Sequence, residues 1–456
     1  MANKLRIKVE ILDNNDEVVE TEIVRTTLIK KPETLIDVGY RHSEQIEILQ
    51  VLQDKLLKQQ SVYFREDVTT CPNCDAKLAK KGYTKSDFNA VFTDHKVNVS
   101  RQYCTHCTWK SIPSILSLFG TTVHPDLSRL QCENGAKQTY RDAAHYLNQL
   151  SCSERRINNH DRVKQTCEQV GYYTEKHPIP CAKKVAPAKQ LCLQVDGGHV
   201  ASKETGARSF EVLSSVVFKP ENIDTTYHYE EQEDGELVLR YKRGTLTSKQ
   251  CAASAKADKL KHIKQQTLFA AQKEGAGKQT HVTALCDGAK NCWQVVDVLE
   301  GKVKKVTRIL DWFHLGMKFQ NLSLSNAKIQ TLAKDAKWYL WRGKSDKALE
   351  RLEDIKVQVT QPKEKKKITA LITYIQSNRH AIVNYEKRQT EGLIFTSQLA
   401  ESTVESLINQ RCKRQQHMRW TRAGLQPLME IRALIASNDW HYHWEEIVCG
   451  ATLHAA

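Results

Sequence analysis

Two short apolar runs of this sequence each end in an Asp-Gly pair, and these aspartates are the first candidates for chemistry. The run LCLQVDGGHV contains Asp196, and the run VTALCDGAK contains Asp287. Each pattern predicts a strand that a glycine turn ends. Because the carboxyl ends of parallel strands meet at one edge of a sheet, the two carboxylates are expected to share a divalent cation. The alternative for each pair is an ordinary turn.

A third apolar run, VTRILDWFHL, ends in Asp311, and His314 follows three residues later. This spacing would bring both side chains together at the start of a helix. The alternative is an aspartate that caps the helix beside a buried histidine. The pattern leaves both interpretations open.

A further carboxylate for the cation is expected from a helix packed beside the strand ends. The segment ESTVESLINQR places Glu401 and Glu405 four residues apart, and therefore on one helical face. Val404, Leu407 and Ile408 would bury that helix against a sheet. Spacing alone does not choose between the two glutamates, and an amphipathic helix with solvated glutamates also explains the pattern.

Four cysteines form two CxxC knuckles, Cys71 with Cys74 and Cys104 with Cys107, on either side of a strand-like segment. Four thiolates from paired knuckles predict a closed tetrahedral site for a structural Zn2+, as in a zinc ribbon. A redox CxxC is the alternative for either half alone.

Residues 127–175 predict two helices joined by a turn, with Ser153 as the N-cap of the second helix. The start of that second helix carries basic and amide side chains: Arg155, Arg156, Asn158, Asn159 and Arg162. Such side chains suit base edges and phosphates in a DNA major groove, which predicts a helix-turn-helix. The alternative is a helical hairpin with a solvated basic face.

Composition favours a polyanionic partner. The 456 residues include 68 Lys and Arg against 53 Asp and Glu, a formal net charge of +15, which suggests nucleic acid first and a membrane surface second. Residues 301–380 hold 18 Lys and Arg against 7 Asp and Glu. This helical stretch is predicted to be an insertion that grips DNA phosphates.

Composition also bears on location. No apolar run is long enough to span a membrane, and the N-terminus lacks the apolar core of a signal peptide, so a cytoplasmic protein is predicted. Most of the 14 cysteines are expected to be buried thiols in a chain of this length.

Together these motifs resemble a DDE transposase of bacterial insertion sequences, most closely the ISKra-type family. The likeness runs from about Cys71 to Leu434 and includes VDGGHV, CDGAKNCW, DWFHL and VESLINQR. It implies an acidic triad of Asp196, Asp287 and Glu405 that holds Mg2+ or Mn2+. By similarity to Mutator-type and hAT-type transposases, Asp311 and His314 would form an Asp-x-x-His signature.

The resemblance also implies partners. These are double-stranded DNA at the element ends and in the target, and further copies of the chain, as a homodimer or higher oligomer in a synaptic complex. No membrane is implied, and the expected location is the bacterial cytoplasm, in association with the nucleoid.

The predicted architecture is a multidomain α/β protein, since the elements after residue 190 follow the order β, β, β, α, β, α, β of a ribonuclease H-like core. The predicted segments are an N-terminal hairpin and helix (1–65), a zinc ribbon (66–115), a helix-turn-helix DNA-binding domain (116–175), a linker (176–190), the first part of the catalytic core (191–314), a helical insertion (315–395) and the C-terminal part of the core with the glutamate helix (396–456).

Two other functions stay open from the sequence. One is a non-catalytic DNA-binding regulator that uses the zinc ribbon and helix-turn-helix, although an intact acidic triad argues against it. The other is a ribonuclease H-like nuclease that hydrolyses DNA without joining it. A strand-transfer product would separate a transposase from that nuclease.

Overall fold

The chain divides into two compact units, Met1–Tyr173 with Trp444–Ala456, and Thr174–His443. The computed structural model describes residues 3–180, 185–231, 237–396, 402–413 and 418–453, so part of the predicted linker lies outside the described residues. Within those ranges, no helix combines the length and the apolar character that crossing a membrane requires.

The first unit combines two small antiparallel sheets with helices. Its elements are β1 (Lys4–Leu12), β2 (Val18–Leu28), α1 (His42–Gln60), β3 (Leu78–Asn89), β4 (Asp94–Cys104), β5 (Lys110–Ser111), α2 (Ile115–Phe119), α3 (Pro125–Lys137), α4 (Tyr140–Leu150), α5 (His160–Lys176) and the end of the C-terminal helix Asp439–Leu453. The predicted hairpin between the two cysteine knuckles is present as β3 and β4, which pair antiparallel, with β5 added beside β4.

The prediction that Ser153 caps the second helix of the helical pair is wrong. The helix α5 begins at His160, and Arg156–Asn158 form a single 3-10 turn before it. The side chain of Asn148, on α4, accepts the Arg155 N–H at 3.1 Å and holds the chain extended there. The connection therefore spans the nine residues 151–159, compared with about three or four in a helix-turn-helix.

The second unit is a mixed α/β structure. Its elements are β6 (Gln190–Ala201), β7 (Ser209–Phe218), β8 (Ile223–Glu231), β9 (Leu237–Leu246), β10 (Gln250–Ser254), α6 (Lys261–Lys273), β11 (His281–Cys286), α7 (Lys290–Val296), β12 (Lys305–Leu310), α8 (Trp312–Gln320), α9 (Ala327–Trp341), α10 (Ser345–Gln358), α11 (Pro362–Ser377), α12 (Tyr385–Thr390), a π-helical turn (Glu405–Asn409) that continues to Cys412, and α13 (Arg422–Ala436).

Five strands of this unit form one mixed sheet in the order β10, β7, β6, β11, β12. β6 pairs antiparallel with β7 and parallel with β11, which in turn is parallel to β12. One face buries Leu193 and Val195 with residues of α6 and α7. The other face packs Leu285 and Ile309 against Trp341 and its neighbours. Helices on both faces explain why consecutive residues of β6, from Leu191 to Val195, are all buried.

Candidate functional site

Three aspartates lie at one level along the same edge of the five-stranded sheet. Cys286 of β11 is in register with Val195 of β6 on one side and with Leu310 of β12 on the other. The residue that follows each of these three is an aspartate: Asp196, Asp287 and Asp311. Neighbouring strands are about 4.8 Å apart, and residues at one level of parallel strands point to one face. The register therefore gathers three carboxylates from segments far apart in sequence.

The pKa of Asp196 reflects this gathering. Burial raises the pKa, the Gly197 N–H that donates to the carboxylate at 2.7 Å lowers it, and the negative charge of Asp287 raises it again. The net direction is upward. A cation bound here would offset both the desolvation and the repulsion between the carboxylates.

The turn that follows β11 is fixed by α11. The Asp287 carboxylate accepts the Ala289 N–H at 2.8 Å, and the Asp287 carbonyl accepts the Tyr374 hydroxyl at 2.6 Å. Gly288 has a φ of 92°, and a Cβ there would lie 2.9 Å from the side chains of both Asn378 and Tyr374. A glycine is therefore required for this turn to hold Asp287 at the sheet edge.

Asp311 and His314 are joined at the start of α8. One carboxylate oxygen of Asp311 accepts the His314 backbone N–H at 2.9 Å and lies 2.7 Å from Nδ1 of the ring. Asp311 is completely buried, whereas His314 is partly exposed. The hydrogen bond with Asp311 raises the pKa of His314, burial opposes that rise, and the charges of Asp311, Asp196 and Asp287 add to it. The pair thus combines the predicted helix cap with a histidine that favours its cationic form.

Glu405 begins the π-helical turn, whose Gln410 N–H donates to the Glu405 carbonyl. A Cβ on Gly198 would lie 3.3 Å from the side chain of Ile408, so the turn packs against β6 just beyond Asp196. Residues two apart on a strand share a face, which places this turn on the face that carries the aspartates. The Asn409 amide donates to the Glu405 carboxylate at 3.1 Å.

The carboxylates of Asp196, Asp287 and Glu405 lie on one face of the sheet but do not converge on a single metal position. Among the residues that the structure describes, the four cysteines bring their ligand atoms within 4.8 Å of one another. The carboxylates of Asp196, Asp287 and Glu405 do not come that close together. Their oxygen donors are nevertheless those that Mg2+ prefers. Glu401, the alternative third ligand, lies outside the described residues.

Glu211 is a carboxylate at this edge that the sequence analysis missed. Its Oε2 accepts the Asn291 side-chain amide at 2.6 Å, and its Oε1 would lie 2.6 Å from a Cβ on Gly197. Glu211 on β7 therefore lies against Gly197 and α7, on the face of the sheet opposite to the one that carries Asp196. A single charge within the otherwise uncharged strand SFEVLSSVVF is the signal that was available in the sequence.

The four cysteines of the first unit could hold a metal such as zinc. Their Sγ atoms lie within 4.8 Å of one another, with Cys71 to Cys107 and Cys74 to Cys104 both at 3.4 Å. Tetrahedral thiolates around Zn2+ stand about 3.8 Å apart, so modest adjustment completes the site. Burial acts against ionisation of Cys104, but backbone N–H groups, including that of His106, lower the pKa of this thiol to about 6. Backbone N–H groups also lower the pKa values of Cys74 and Cys107, but hydrogen bonds from neighbouring thiols and burial outweigh them, so both pKa values are raised.

Two of the five residues predicted to contact DNA have interior positions. Arg155 is 6% exposed, and its guanidinium donates to the carbonyls of Ala90 and Val91 at 2.8 and 2.7 Å. Asn158 is completely buried. The prediction of a DNA contact is therefore corrected for these two side chains, because neither has the exposure that a contact with a base or phosphate requires.

The other three predicted residues are exposed. Arg156 and Arg162 line a cavity of about 670 Å³ in the first unit, together with Asp87. The side chain of Asn159 accepts the Arg162 N–H at 2.8 Å. These positions leave the guanidinium groups of both arginines accessible to a polyanion.

Comparison with known proteins gives one family match. Residues 271–446 match an uncharacterised protein family, UPF0236. The matched segment includes Asp287, Asp311, His314 and Glu405, and it begins after Asp196 and the cysteine cluster. A search of curated proteins gives no significant match. Residues 271–446 are thus similar to a family whose activity is not defined, and any activity has to be argued from the site.

Proposed function

We propose that the protein is a DDE transposase that binds the ends of its insertion sequence and catalyses metal-dependent DNA cleavage and strand transfer. The observation that carries the proposal is the alignment of Asp196, Asp287 and Asp311 at one sheet edge, with the Glu405 turn on the same face. The proposal is also supported by the element order β6, β7, β10, α6, β11, α7, β12, in which β7 alone of the five strands runs opposite to the others and the β8 and β9 hairpin is inserted before β10.

Asp196, Asp287 and Glu405 are the residues proposed to hold Mg2+ or Mn2+. Bound there, such ions would assist the attacking water or 3′-hydroxyl and stabilise the leaving oxygen of an in-line phosphoryl transfer. Asp311 is less suited to be a ligand, because one of its oxygens is already bonded to His314. Its proposed role is to orient that histidine.

His314 is proposed to act on the phosphate. Since Nδ1 is bonded to Asp311, Nε2 is the ring atom left to donate a proton or a hydrogen bond to a phosphate oxygen. The raised pKa keeps more of the ring cationic at neutral pH than in a free histidine. A positive charge next to the carboxylates would reduce the repulsion that a phosphodiester meets there.

Recognition of double-stranded DNA is proposed for the first unit. The metal site would hold β3 and β4, and the exposed Arg156 and Arg162 would contact the backbone of the element ends. The connection between α4 and α5 is longer than in a helix-turn-helix, so the proposal rests on the exposed arginines and not on that motif.

The test is an assay of the purified protein with its flanking genomic DNA and Mg2+. Asp196→Asn, Asp287→Asn and Glu405→Gln should each reduce cleavage and joining by about a thousandfold, since losing about 4 kcal/mol of transition-state stabilisation has that effect. Glu350→Gln, on an exposed position of α10, is the matched control and should be active.

The products distinguish the remaining functions. Cleavage without any joined product would assign a nuclease, and specific DNA binding without metal-dependent chemistry would assign a regulator. Glu401→Gln decides the third ligand: if it abolishes strand transfer while Glu405→Gln does not, the ligand is one helical turn earlier.

A further inference from the structure

One face of α11 forms an open groove of about 810 Å³ in the second unit. Its lining residues are lysines, small or hydroxyl side chains and one aromatic ring: Pro362, Lys365, Lys366, Thr369, Ala370, Thr373 and Tyr374. The opposite face of the helix is buried through residues such as Ile368 and Ile375. The groove is therefore an exposed surface on a firmly packed helix.

The α11 helix, which forms the groove, carries more lysines than acidic residues, so the groove is positively charged. Four of the residues of α11 are lysines and one is acidic. That acidic residue, Glu364, accepts the Ser325 N–H at 2.8 Å, so its carboxylate is engaged with the loop before α9. Lys365 and Lys366 are both exposed.

The groove ends at the aspartate edge. Tyr374 lines the groove, and its hydroxyl donates to the Asp287 carbonyl. The ammonium group of Lys318, on α8, lies 4.2 Å from the centre of the Tyr374 ring. Lys318 is exposed and follows His314 by four residues, so the two side chains share a face of α8. Positive groups thus continue from α11 to the candidate site.

We propose that this α11 groove, together with Lys318, binds the backbone of a DNA strand and leads it to the aspartate edge. The proposal rests on the proposed function for the identity of the polyanion. From Lys366 to Tyr374 the helix rises about 12 Å, which matches three or four phosphates of one strand at about 3.4 Å each along the duplex axis.

The side chains of the groove indicate how it binds. Lysines and threonine hydroxyls commonly contact phosphate oxygens. The described residues that line the groove include none of the arginine, asparagine or glutamine side chains that make most bidentate contacts with base edges. The groove therefore binds DNA without sequence preference. This is what target DNA requires, and it differs from recognition of the element ends.

The test is a double substitution, Lys365→Ala with Lys366→Ala. Binding to a random-sequence DNA duplex is measured by fluorescence anisotropy without added Mg2+ or Mn2+, between about 50 and 200 mM salt. Removing one lysine that binds a phosphate should lower the slope of log affinity against log salt by about 1, so the slope should fall by about 2 for the pair. At about 0.1 M salt the affinity should fall at least tenfold.

The matched control is Lys189→Ala with Lys278→Ala. These exposed lysines precede β6 and β11, at the end of the strands opposite the aspartates and outside residues 301–380, and their removal changes the net charge equally. The control should bind like the wild type. Equal weakening by the two double variants, or wild-type binding by the α11 variant, would overturn the proposal.

A second variant excludes loss of folding as the cause. Thr369→Glu adds a negative charge to the groove at an exposed position and should weaken binding with an unchanged melting temperature. Wild-type binding by this variant would also count against the groove. Because binding is measured without added Mg2+ or Mn2+, a protein that binds through α11 yet never cleaves DNA would refute the proposed function and leave the groove supported.

Discussion

Replacing Arg155 with alanine is expected to unfold the turn between β3 and β4 rather than to impair DNA recognition. The guanidinium donates to the carbonyls of Val91, Ala90 and Thr93 at 2.7, 2.8 and 3.0 Å, and it is also bonded to the Asp94 carboxylate. Each hydrogen bond from a charged donor contributes about 1.5–3 kcal/mol, but water would enter and satisfy some of the freed acceptors. The Asp94 side chain is 45% exposed, so its ion pair contributes little, and the three bonds to carbonyls, discounted for entering water, account for an expected loss of about 3–5 kcal/mol.

The measurement is amide hydrogen exchange followed by mass spectrometry. The Ala90 N–H donates to the Thr93 carbonyl at 2.9 Å within the turn, so its protection reports on local opening. A loss of about 3–5 kcal/mol corresponds to exchange roughly 10²- to 10⁴-fold faster over residues 89–104. Arg156→Ala, at the exposed neighbouring position, is the control and should leave this exchange unchanged.

A conservative variant separates charge from geometry. Arg155→Lys keeps the charge but cannot reach several acceptors with one ammonium group, so it should give an intermediate effect. Unchanged exchange in Arg155→Ala, together with weaker DNA binding, would refute this reasoning and return Arg155 to the DNA interface.

Four other predictions concern the two sites. The purified chain should contain one zinc ion by metal analysis, and Cys74→Ser should lower that content and the melting temperature. In EDTA, His314→Gln should be less stable than the wild type below about pH 6.5, and the difference should vanish as the pH rises through the raised pKa of the folded state, as followed by urea unfolding. Because the pKa of Asp196 is raised, its ionised form is destabilising, so Asp196→Asn should melt higher at pH 7 in EDTA and lose that advantage below about pH 3.9. Gly288→Ala should lose at least about 2 kcal/mol of unfolding free energy, whereas Gly277→Ala, where a Cβ meets nothing within 4 Å, should lose far less.

The sequence placed Asp287 and Asp311 correctly, directly after the last residues of β11 and β12. The glycine turn predicted after Asp196 is wrong, because β6 stays paired with β7 through both glycines and ends at Ala201. Apolar runs of this length, each ended by a polar residue and a turn or helix start, are strong local signals.

Local sequence patterns could not predict that the three aspartates lie at one level of the sheet, because that depends on which strands pair and in what register. Cys286 is paired with both Val195 and Leu310 only in the folded sheet. The separation between Glu405 and the aspartates depends in the same way on tertiary packing.

The basic residues show where sequence reasoning fails. Ser153 has the local signature of an N-cap, but Asn148 on the preceding helix captures the Arg155 N–H and delays the start of α5. The acceptors that bury Arg155 are neutral backbone carbonyls of another element, and no residue type in the sequence marks them. Exposure of a basic side chain therefore cannot be inferred from its type alone.

The π-helical turn at Glu405 sets the orientation of this glutamate relative to the residues that follow it. The turn contains one residue more than an α-helical turn, since the Gln410 N–H reaches back five positions to the Glu405 carbonyl. Buried residues lie on both sides of it, Val404 before and Cys412 after. Deleting the extra residue would rotate Glu405 by about 100° relative to the segment that follows the turn. The residues of that following segment would still face the sheet. Deleting one residue of this turn would therefore change the direction of the Glu405 carboxylate relative to Asp196, Asp287 and Asp311.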